Sequence, residues 1–433
     1  MDQITTHVLR DADTEVKVLS LGCAVMDWRV KDIPVVLGYA EPEHYRQNPA
    51  WMGVICGRVA NRIAQARFVM DGVAYALPVN NPPHHLHGGP GGIGKRNWQM
   101  SPDGDRAVEL RLVSDDGDQG YPGKVDFRVV MRLEGGRLTW EMDALPDRVT
   151  PINLAQHLYF NLTGQGTVAD HTLTVAADRY TPNGPDLVPV GRIDPVQGTD
   201  LDFRTPVRLG DGEGWDGNLI LTKGVDPAAR VVAPNGLGLR LWTDRPGLQV
   251  YTSNTLAPAL PKGPGAAHGR FAGLCLEAQD FPNAVNEPTF GSILCSPDAP
   301  YRQVTSIEIG EVRAGDASTP RSFPFSESRQ WRQRAVSGCF GQCRSCMAYL
   351  EREEAGRSML SRRQIAEDRA IGAIVPGTAF HKVGQCAAHR FQLGDLVFDL
   401  GQMRLGEVLH IRTGAGVVFV KGQQCAAVFY GEA

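Results

Sequence analysis

The chain lacks the features that would mark a membrane, nucleic-acid or disulfide-framed protein. No stretch approaches the roughly 18 consecutive apolar residues that a spanning helix needs. The opening Met1-Asp2-Gln3-Ile4-Thr5-Thr6 has neither the basic start nor the apolar run of a signal peptide. With 44 Lys and Arg against 48 Asp and Glu, the net charge of −4 is too small to draw an acidic polymer, which argues against nucleic acid as a partner. The nine cysteines are an odd number scattered over 433 residues, so reduced thiols are expected rather than a disulfide framework. Together these shortages predict a soluble, cytoplasmic protein with no membrane or nucleic-acid partner. Helical periodicity is scarce as well: before residue 320, runs of a dozen residues with a 3.6 period are hard to find.

Turn formers and short alternating runs are plentiful. The 49 glycines and 29 prolines exceed ordinary usage, and between them lie stretches of period two at 16–21, 107–113, 125–133 and 137–142. Each suits a strand with one wet face. Residues 1–312 therefore read as one all-β domain, a large antiparallel β-sandwich. Beyond Val312 the balance of charge reverses, with 16 basic and 11 acidic residues against 28 basic and 37 acidic before it. Residues 313–320, which include Gly315, Ser318, Thr319 and Pro320, suit a linker. Residues 321–433 suggest a small α+β accessory module of unknown function, with helices around 327–335 and 358–370 and alternating runs near 396–400, 407–411 and 417–420.

Several local patterns carry chemistry. Gly89-Pro90-Gly91-Gly92-Ile93-Gly94-Lys95 has the spacing of a phosphate-cradling loop, but Arg96 stands where a magnesium-binding hydroxyl is needed and the proline-rich segment before it cannot be a buried parallel strand. His84-His85-Leu86-His87 puts three imidazoles in four residues, which suits a solvated loop, a metal site or donors to a sugar hydroxyl. His157 lies within the apolar run Leu154-Ala155-Gln156-His157-Leu158-Tyr159-Phe160, where a hydrogen-bonded core histidine is the plain reading. Glu277 interrupts Leu274-Cys275-Leu276-Glu277-Ala278; an acid inside an apolar strand is either salt-bridged or catalytic, because burying an unpaired carboxylate costs several kcal/mol.

Taken in order, Gly57-Arg58-Val59-Ala60-Asn61-Arg62-Ile63, Leu86-His87-Gly88-Gly89, Asn153 through Leu162, Gly214-Trp215-Asp216, Pro246 through Asn254 and Cys275-Leu276-Glu277-Ala278-Gln279 resemble the aldose 1-epimerase (galactose mutarotase) family. The linking segments Arg179-Tyr180-Thr181-Pro182, Thr199 through Pro206 and Phe281 through Pro288 agree, so the likeness covers about residues 15–310. It implies a large antiparallel β-sandwich and interconversion of the α and β anomers of aldoses such as galactose or glucose. It also implies roles: Glu277 as base and His157 as acid on ring opening, with Asn61, Arg62, His87, Asp216 and Gln249 holding the sugar. Acid–base proton transfer of this kind needs no metal or cofactor. Gly217, where relatives often have His, and the His84-His85 pair are departures expected to bear on sugar preference. Two other functions share the pattern: a non-catalytic carbohydrate-binding protein, which needs no acid–base pair, and an epimerase for another aldose or a sugar phosphate, which needs arginines at the rim.

In the tail, Cys339, Cys343 and Cys346 have the C-x₃-C-x₂-C spacing of an iron–sulfur site, but fewer than 90 residues follow, too few for the partial barrel such a cluster requires. Inert thiols, or zinc completed by His381, Cys386 or His389, are the other readings.

Overall fold

The computed structural model describes residues 2–257 and 269–312, together with four strands between residues 390 and 421. The chain divides into two units, Met1–Phe323 and Pro324–Ala433. In the first, the alternating runs all become strands. Along Val125–Glu134, Val125, Phe127, Val129, Met131 and Leu133 are buried, while Asp126, Arg132 and Glu134 face solvent. Its neighbour Arg137–Pro146 repeats the pattern, and the antiparallel register sets Met131 opposite Trp140 and Val129 opposite Met142. A one-residue slip would turn both apolar sets into water, so the alternation itself specifies this register.

These strands belong to a nine-stranded antiparallel sheet. It runs in space from Gln99–Asp103 through Ala107–Ser114, Val125–Glu134, Arg137–Pro146, Tyr301–Glu311, Leu237–Thr243, Ala229–Val232 and Thr172–Val175 to Val207–Arg208. The eleven-residue strand Tyr301–Glu311 bonds Arg137–Pro146 on one side and Leu237–Thr243 on the other, joining distant parts of the chain. A second antiparallel sheet has the order Asp194–Pro195, Ala177–Thr181, Asp216–Leu221, Gly247–Tyr251, Cys275–Gln279. The N-terminal strands Thr6–Asp11, Thr14–Leu19, Val25–Val30 and Ile33–Pro34 form a four-stranded sheet.

The main core lies among these sheets and includes Trp28, Trp140 and Phe160, with Trp28 6.2 Å from Trp140 and 6.3 Å from Phe160, ring centre to ring centre. Leu219, Leu248, Val250, Leu276 and Ala278 of the second sheet point into the same core. Side chains alternate across a strand, so Glu277 and Gln249, direct cross-strand partners, and Asn218 opposite Gln249 occupy the other face. Apolar packing thus fixes the position of a strand whose opposite face carries polar groups.

Among the described residues no helix is long and apolar enough to cross a membrane, and the helical segments of the first unit are short 3₁₀ turns. In the tail, Arg390–Leu393 pairs with Leu396–Asp399 and Val408–Thr413 with Gly416–Lys421 as antiparallel hairpins. These cover the alternating runs expected there and add the strand at 390–393. The expected helices at 327–335 and 358–370, the linker at 313–320, and Cys339, Cys343, Cys346, His381, Cys386 and His389 lie outside the described residues.

Trp140 is fully buried between Trp28 and the neighbouring strand. Trp140→Ala should lower the unfolding free energy by about 3–5 kcal/mol, the usual cost of deleting a buried aromatic. Val69, 63% exposed, should tolerate Ser within about 0.5 kcal/mol. Urea midpoints of the two variants check both figures.

Candidate active site

Three loops converge on the polar face of the second sheet. The first begins with the buried Arg58, whose guanidinium donates to the carbonyl oxygens of Ser114, Asp115, Pro122 and Gly123 and to Ser114 Oγ. A buried cation is tolerable when its donors are satisfied in this way. That anchor presents Asn61 and Arg62 three and four residues later. Arg62 lies in a short strand paired with His85–Leu86, which delivers His87 beside Asn61. The two residues clasp each other: His87 N–H donates to Asn61 O at 3.0 Å, and Asn61 N–H donates to His87 Nδ1 at 3.1 Å. Gly88 follows at φ +83°, where a Cβ would stand 1.8 Å from Gly57 O, so no other residue fits that turn.

The third loop carries His157. Its N–H donates to Val54 O and its carbonyl accepts from Gly53 N–H, both at 2.9 Å. The neighbouring Gln156 side chain donates to Leu276 O at 2.6 Å and accepts from Leu158 N–H at 3.0 Å. Gln156 thereby ties the His157 segment to the strand that bears Glu277.

The result is a buried pair. His157 Nε2 lies 3.7 Å from Glu277 Oε1, too far for a hydrogen bond, and the residues are 4% and 2% exposed. Glu277 Oε2 has no partner. Burial pushes the Glu277 carboxyl well above the usual range, the Asp216 charge adds to that, and Arg62 opposes it. Burial moves His157 the other way, down to about 4. Both shifts favour the uncharged forms of the two groups.

Around the pair stand the remaining expected residues. Gln249 donates to Asp216 Oδ1 at 2.6 Å, leaving its own Oε1 unpartnered. The Asp216 carboxyl is raised by burial, against the Arg62 charge and the Gln249 hydrogen bond. The Arg62 guanidinium donates from Nε to Asn81 Oδ1 at 3.0 Å. The His87 ring meets the His157 ring at 5.1 Å and the Trp51 ring at 5.0 Å, and His157 stacks on Tyr159 at 5.1 Å. All seven expected residues therefore lie on the polar sheet face or on the loops around it. Asn61 also braces its own turn, since its Oδ1 accepts from Arg62 N–H at 2.9 Å.

The other histidines and the glycine departure have different places. His84 accepts from Gln65 N–H at 3.1 Å and approaches Asp186 at 3.1 Å, and His85 Nδ1 bonds Pro78 O at 2.7 Å. They brace the loop. A Cβ at Gly217 would stand 3.0 Å from Leu201 Cδ1, one residue out of phase with Asp216; Gly217 is a packing position. The Gly89–Lys95 segment forms turns and a three-residue 3₁₀ helix at Ile93–Lys95 rather than a strand–loop–helix unit. Sequence reasoning missed Arg58, Gln156, Tyr159 and Cys275. All four stood inside the family-like strings, but nothing local marked Arg58 as a buried anchor.

Among the described residues, His87, His157 and Glu277 form a group whose ligand atoms lie within 4.8 Å of one another, close enough to hold a metal ion. The donor chemistry does not fit one. A histidine that binds a metal ordinarily donates its second ring N–H to an acceptor. His87 does the reverse, since its Nδ1 accepts from Asn61 N–H. Its proton is therefore on Nε2, the nitrogen left to face a ligand, and that atom is a donor.

The sequence profile of the aldose 1-epimerase family matches residues 5–308. A galactose mutarotase from Rattus norvegicus is 41% identical over 315 residues, 69% of this chain and 91% of that protein. An aldose 1-epimerase from Escherichia coli is 34% identical over 309 residues, 67% of this chain and 88% of the relative. Among solved structures, the GalM/aldose epimerase homologue from C. elegans superposes with a TM-score of 0.69 at 26% identity, covering 72% of this chain and all of the other.

The shifted pair has consequences for stability. A carboxyl raised by folding stabilises the fold fully below its unfolded pKa of about 4.3, and that contribution is lost as pH rises through the folded value. A histidine lowered to about 4 contributes fully above about 6.5 and loses that contribution as pH falls toward 4. Glu277→Gln should therefore gain stability relative to the wild type as pH climbs from 4 to 8, by about 1.4 kcal/mol per unit of the carboxyl's shift. Thermal melts across that range test it; a constant difference would contradict the assigned burial cost.

Proposed function

The chain belongs to the aldose 1-epimerase family, and on that premise we propose that it interconverts the α and β anomers of free hexopyranoses such as galactose and glucose. The observation that carries the reading is the buried Glu277–His157 pair, separated by 3.7 Å. The C1 hydroxyl and the ring oxygen of an aldopyranose are bonded to the same carbon, so two groups this close can serve both.

In the ring form, Glu277 acts as the carboxylate and His157 as the imidazolium. Opening moves the C1 hydroxyl proton to Glu277 while the His157 Nε2 proton goes to the ring oxygen. The C1–O5 bond breaks and C1 becomes an aldehyde. Rotation about C1–C2 turns the other carbonyl face toward O5. Glu277 returns its proton to the carbonyl oxygen, Nε2 retrieves the O5 proton, and the opposite anomer forms. The protons taken from the sugar are returned to it by the same pair, so turnover requires no exchange with bulk water. The dry surroundings that favour the neutral forms of both groups favour the protonation state that accompanies the open chain. This narrows the gap between the bound ring and its aldehyde. Each positioned proton donor or acceptor contributes about 10²–10⁴ in rate.

The remaining groups sort by polarity. Arg62 and His87 Nε2–H are donors, while Asp216 and the unpartnered Gln249 Oε1 are acceptors; sugar hydroxyls satisfy both kinds. A protein that only binds sugar gains nothing from leaving Glu277 Oε2 buried without a partner, a condition that costs stability.

Polarimetry of fresh α-D-glucose and α-D-galactose should show equilibration faster than the buffer control, and its absence would defeat the proposal. Glu277→Gln and His157→Asn should each lower kcat by about 10²–10⁴, whereas Arg62→Ala and Asp216→Ala should mainly raise KM. EDTA should leave kcat unchanged; loss restored by zinc would contradict the donor assignment for His87. We further propose that residues 1–312 act alone, because the family match ends at 308 and the site residues lie between 61 and 277. A chain truncated after Gly315 should retain full mutarotation, and an inactive or aggregated product would make the tail part of the epimerase.

A further inference from the structure

We propose that Cys275 is a positioning residue for His157: its sulfur accepts the Nδ1–H hydrogen bond and so leaves Nε2 as the nitrogen that exchanges a proton with the sugar. This rests on the reading of His157 as the proton carrier. Cys275 Sγ lies 3.7 Å from His157 Nδ1, within the longer reach of sulfur. Cys275 precedes Glu277 by two residues on one strand, so both side chains leave the same face of the sheet. Neither the thiol nor the His157 ring is open to solvent, and a hydrogen-bonding group there must find its partner within the protein.

The reaction sets the requirement. On ring closure Nε2 must take the proton from O5, so Nε2 must then hold a free lone pair. A neutral imidazole in that state keeps its proton on Nδ1, and that N–H needs an acceptor in a water-free recess. The carbonyl of His157 itself accepts Gly53 N–H and also lies in hydrogen-bonding reach of the ring. Tyr159 donates its hydroxyl proton to Ala50 O at 2.9 Å. The phenol therefore does not compete to donate to the sulfur, and its oxygen can receive the S–H. The thiol sulfur is the side-chain acceptor beside Nδ1.

The identity of the atom matters as well as its place. Burial, with the charges of Glu277 and Asp216, holds the Cys275 thiol protonated, so the partner of Nδ1 is neutral. A carboxylate in that position would stabilise the imidazolium and strengthen the base, as in the serine-hydrolase triad. A neutral sulfur orients the ring while stabilising the charge little, which leaves His157 ready to give its proton up. The arrangement is opposite to that of His87, whose Nδ1 accepts from a backbone N–H and whose proton sits on Nε2. Two adjacent imidazoles thus carry opposite tautomers, one fixed as a donor to substrate and the other with its facing nitrogen free to gain and lose a proton.

Full-length protein labelled with ¹⁵N-histidine, with His157→Asn to assign the signals, should show His157 as the Nδ1–H tautomer at pH 7 in long-range ¹H–¹⁵N correlation spectra, and His87 as Nε2–H. Cys275→Ser keeps an acceptor and should retain both the tautomer and kcat to within about threefold. Cys275→Ala removes it and should give mixed His157 tautomers, with kcat lowered about tenfold at unchanged KM. An Nε2–H signal for His157 in the wild type would overturn the proposal, as would Cys275→Ala with wild-type tautomer and kcat. The spectra require no turnover, so failure to equilibrate anomers would count against the functional reading without deciding the tautomer.

Discussion

A charged carboxylate moved out of water without a partner costs several kcal/mol, and the architecture around Glu277 is arranged so that this cost cannot be relieved by rotation into solvent. Leu276 and Ala278 on either side are packed into the main core, and the strand is hydrogen-bonded along its length to Gly247–Tyr251. The carboxyl must therefore stay in the recess, where a proton or a ligand can satisfy it. The raised affinity of Glu277 for its proton, the lowered affinity of His157 and the unpartnered oxygen of Gln249 all follow from that enforced dryness.

The loops around the sheet convert a buried acid into a site with a direction. Acceptors cluster on the sheet, where Glu277 and Gln249 are cross-strand neighbours and Asp216 bonds Gln249. Donors come from the loops: Arg62, and His87 with its proton on Nε2. Arg58 and Gln156 touch none of the reacting groups in these contacts, yet the first anchors the Asn61–Arg62 turn and the second ties the His157 segment to the Glu277 strand. Precision at the centre thus depends on residues whose own bonds are entirely structural.

Hydrogen-bond polarity, more than residue type, separates this arrangement from a metal centre. Two histidines and a carboxylate within 4.8 Å are a plausible ligand set by composition alone. The backbone N–H of Asn61 pointing at His87 Nδ1 reverses the polarity that a ligating histidine needs. The same three residue types then suit proton transfer to and from a hydroxyl-rich molecule.

Most of the fold was legible in the order of residues, because period-two alternation in runs such as 125–133 leaves one workable register once one face is buried. Candidate site residues came from strings resembling a known family, and Glu277 drew attention on physical grounds as an acid inside an apolar strand. Their arrangement was not legible. Glu277 and His157 are 120 residues apart in sequence, and their 3.7 Å separation exists only after strand pairing and the Gln156 tie bring the segments together. By residue type alone His84, His85 and His87 were three alike imidazoles, yet tertiary hydrogen bonds make His84 and His85 braces and leave His87 with its proton on Nε2. Local sequence determined which faces of the strands are apolar and which residue types were available; the tertiary structure decided which polar groups lose their water, and through that loss their proton affinities and tautomers.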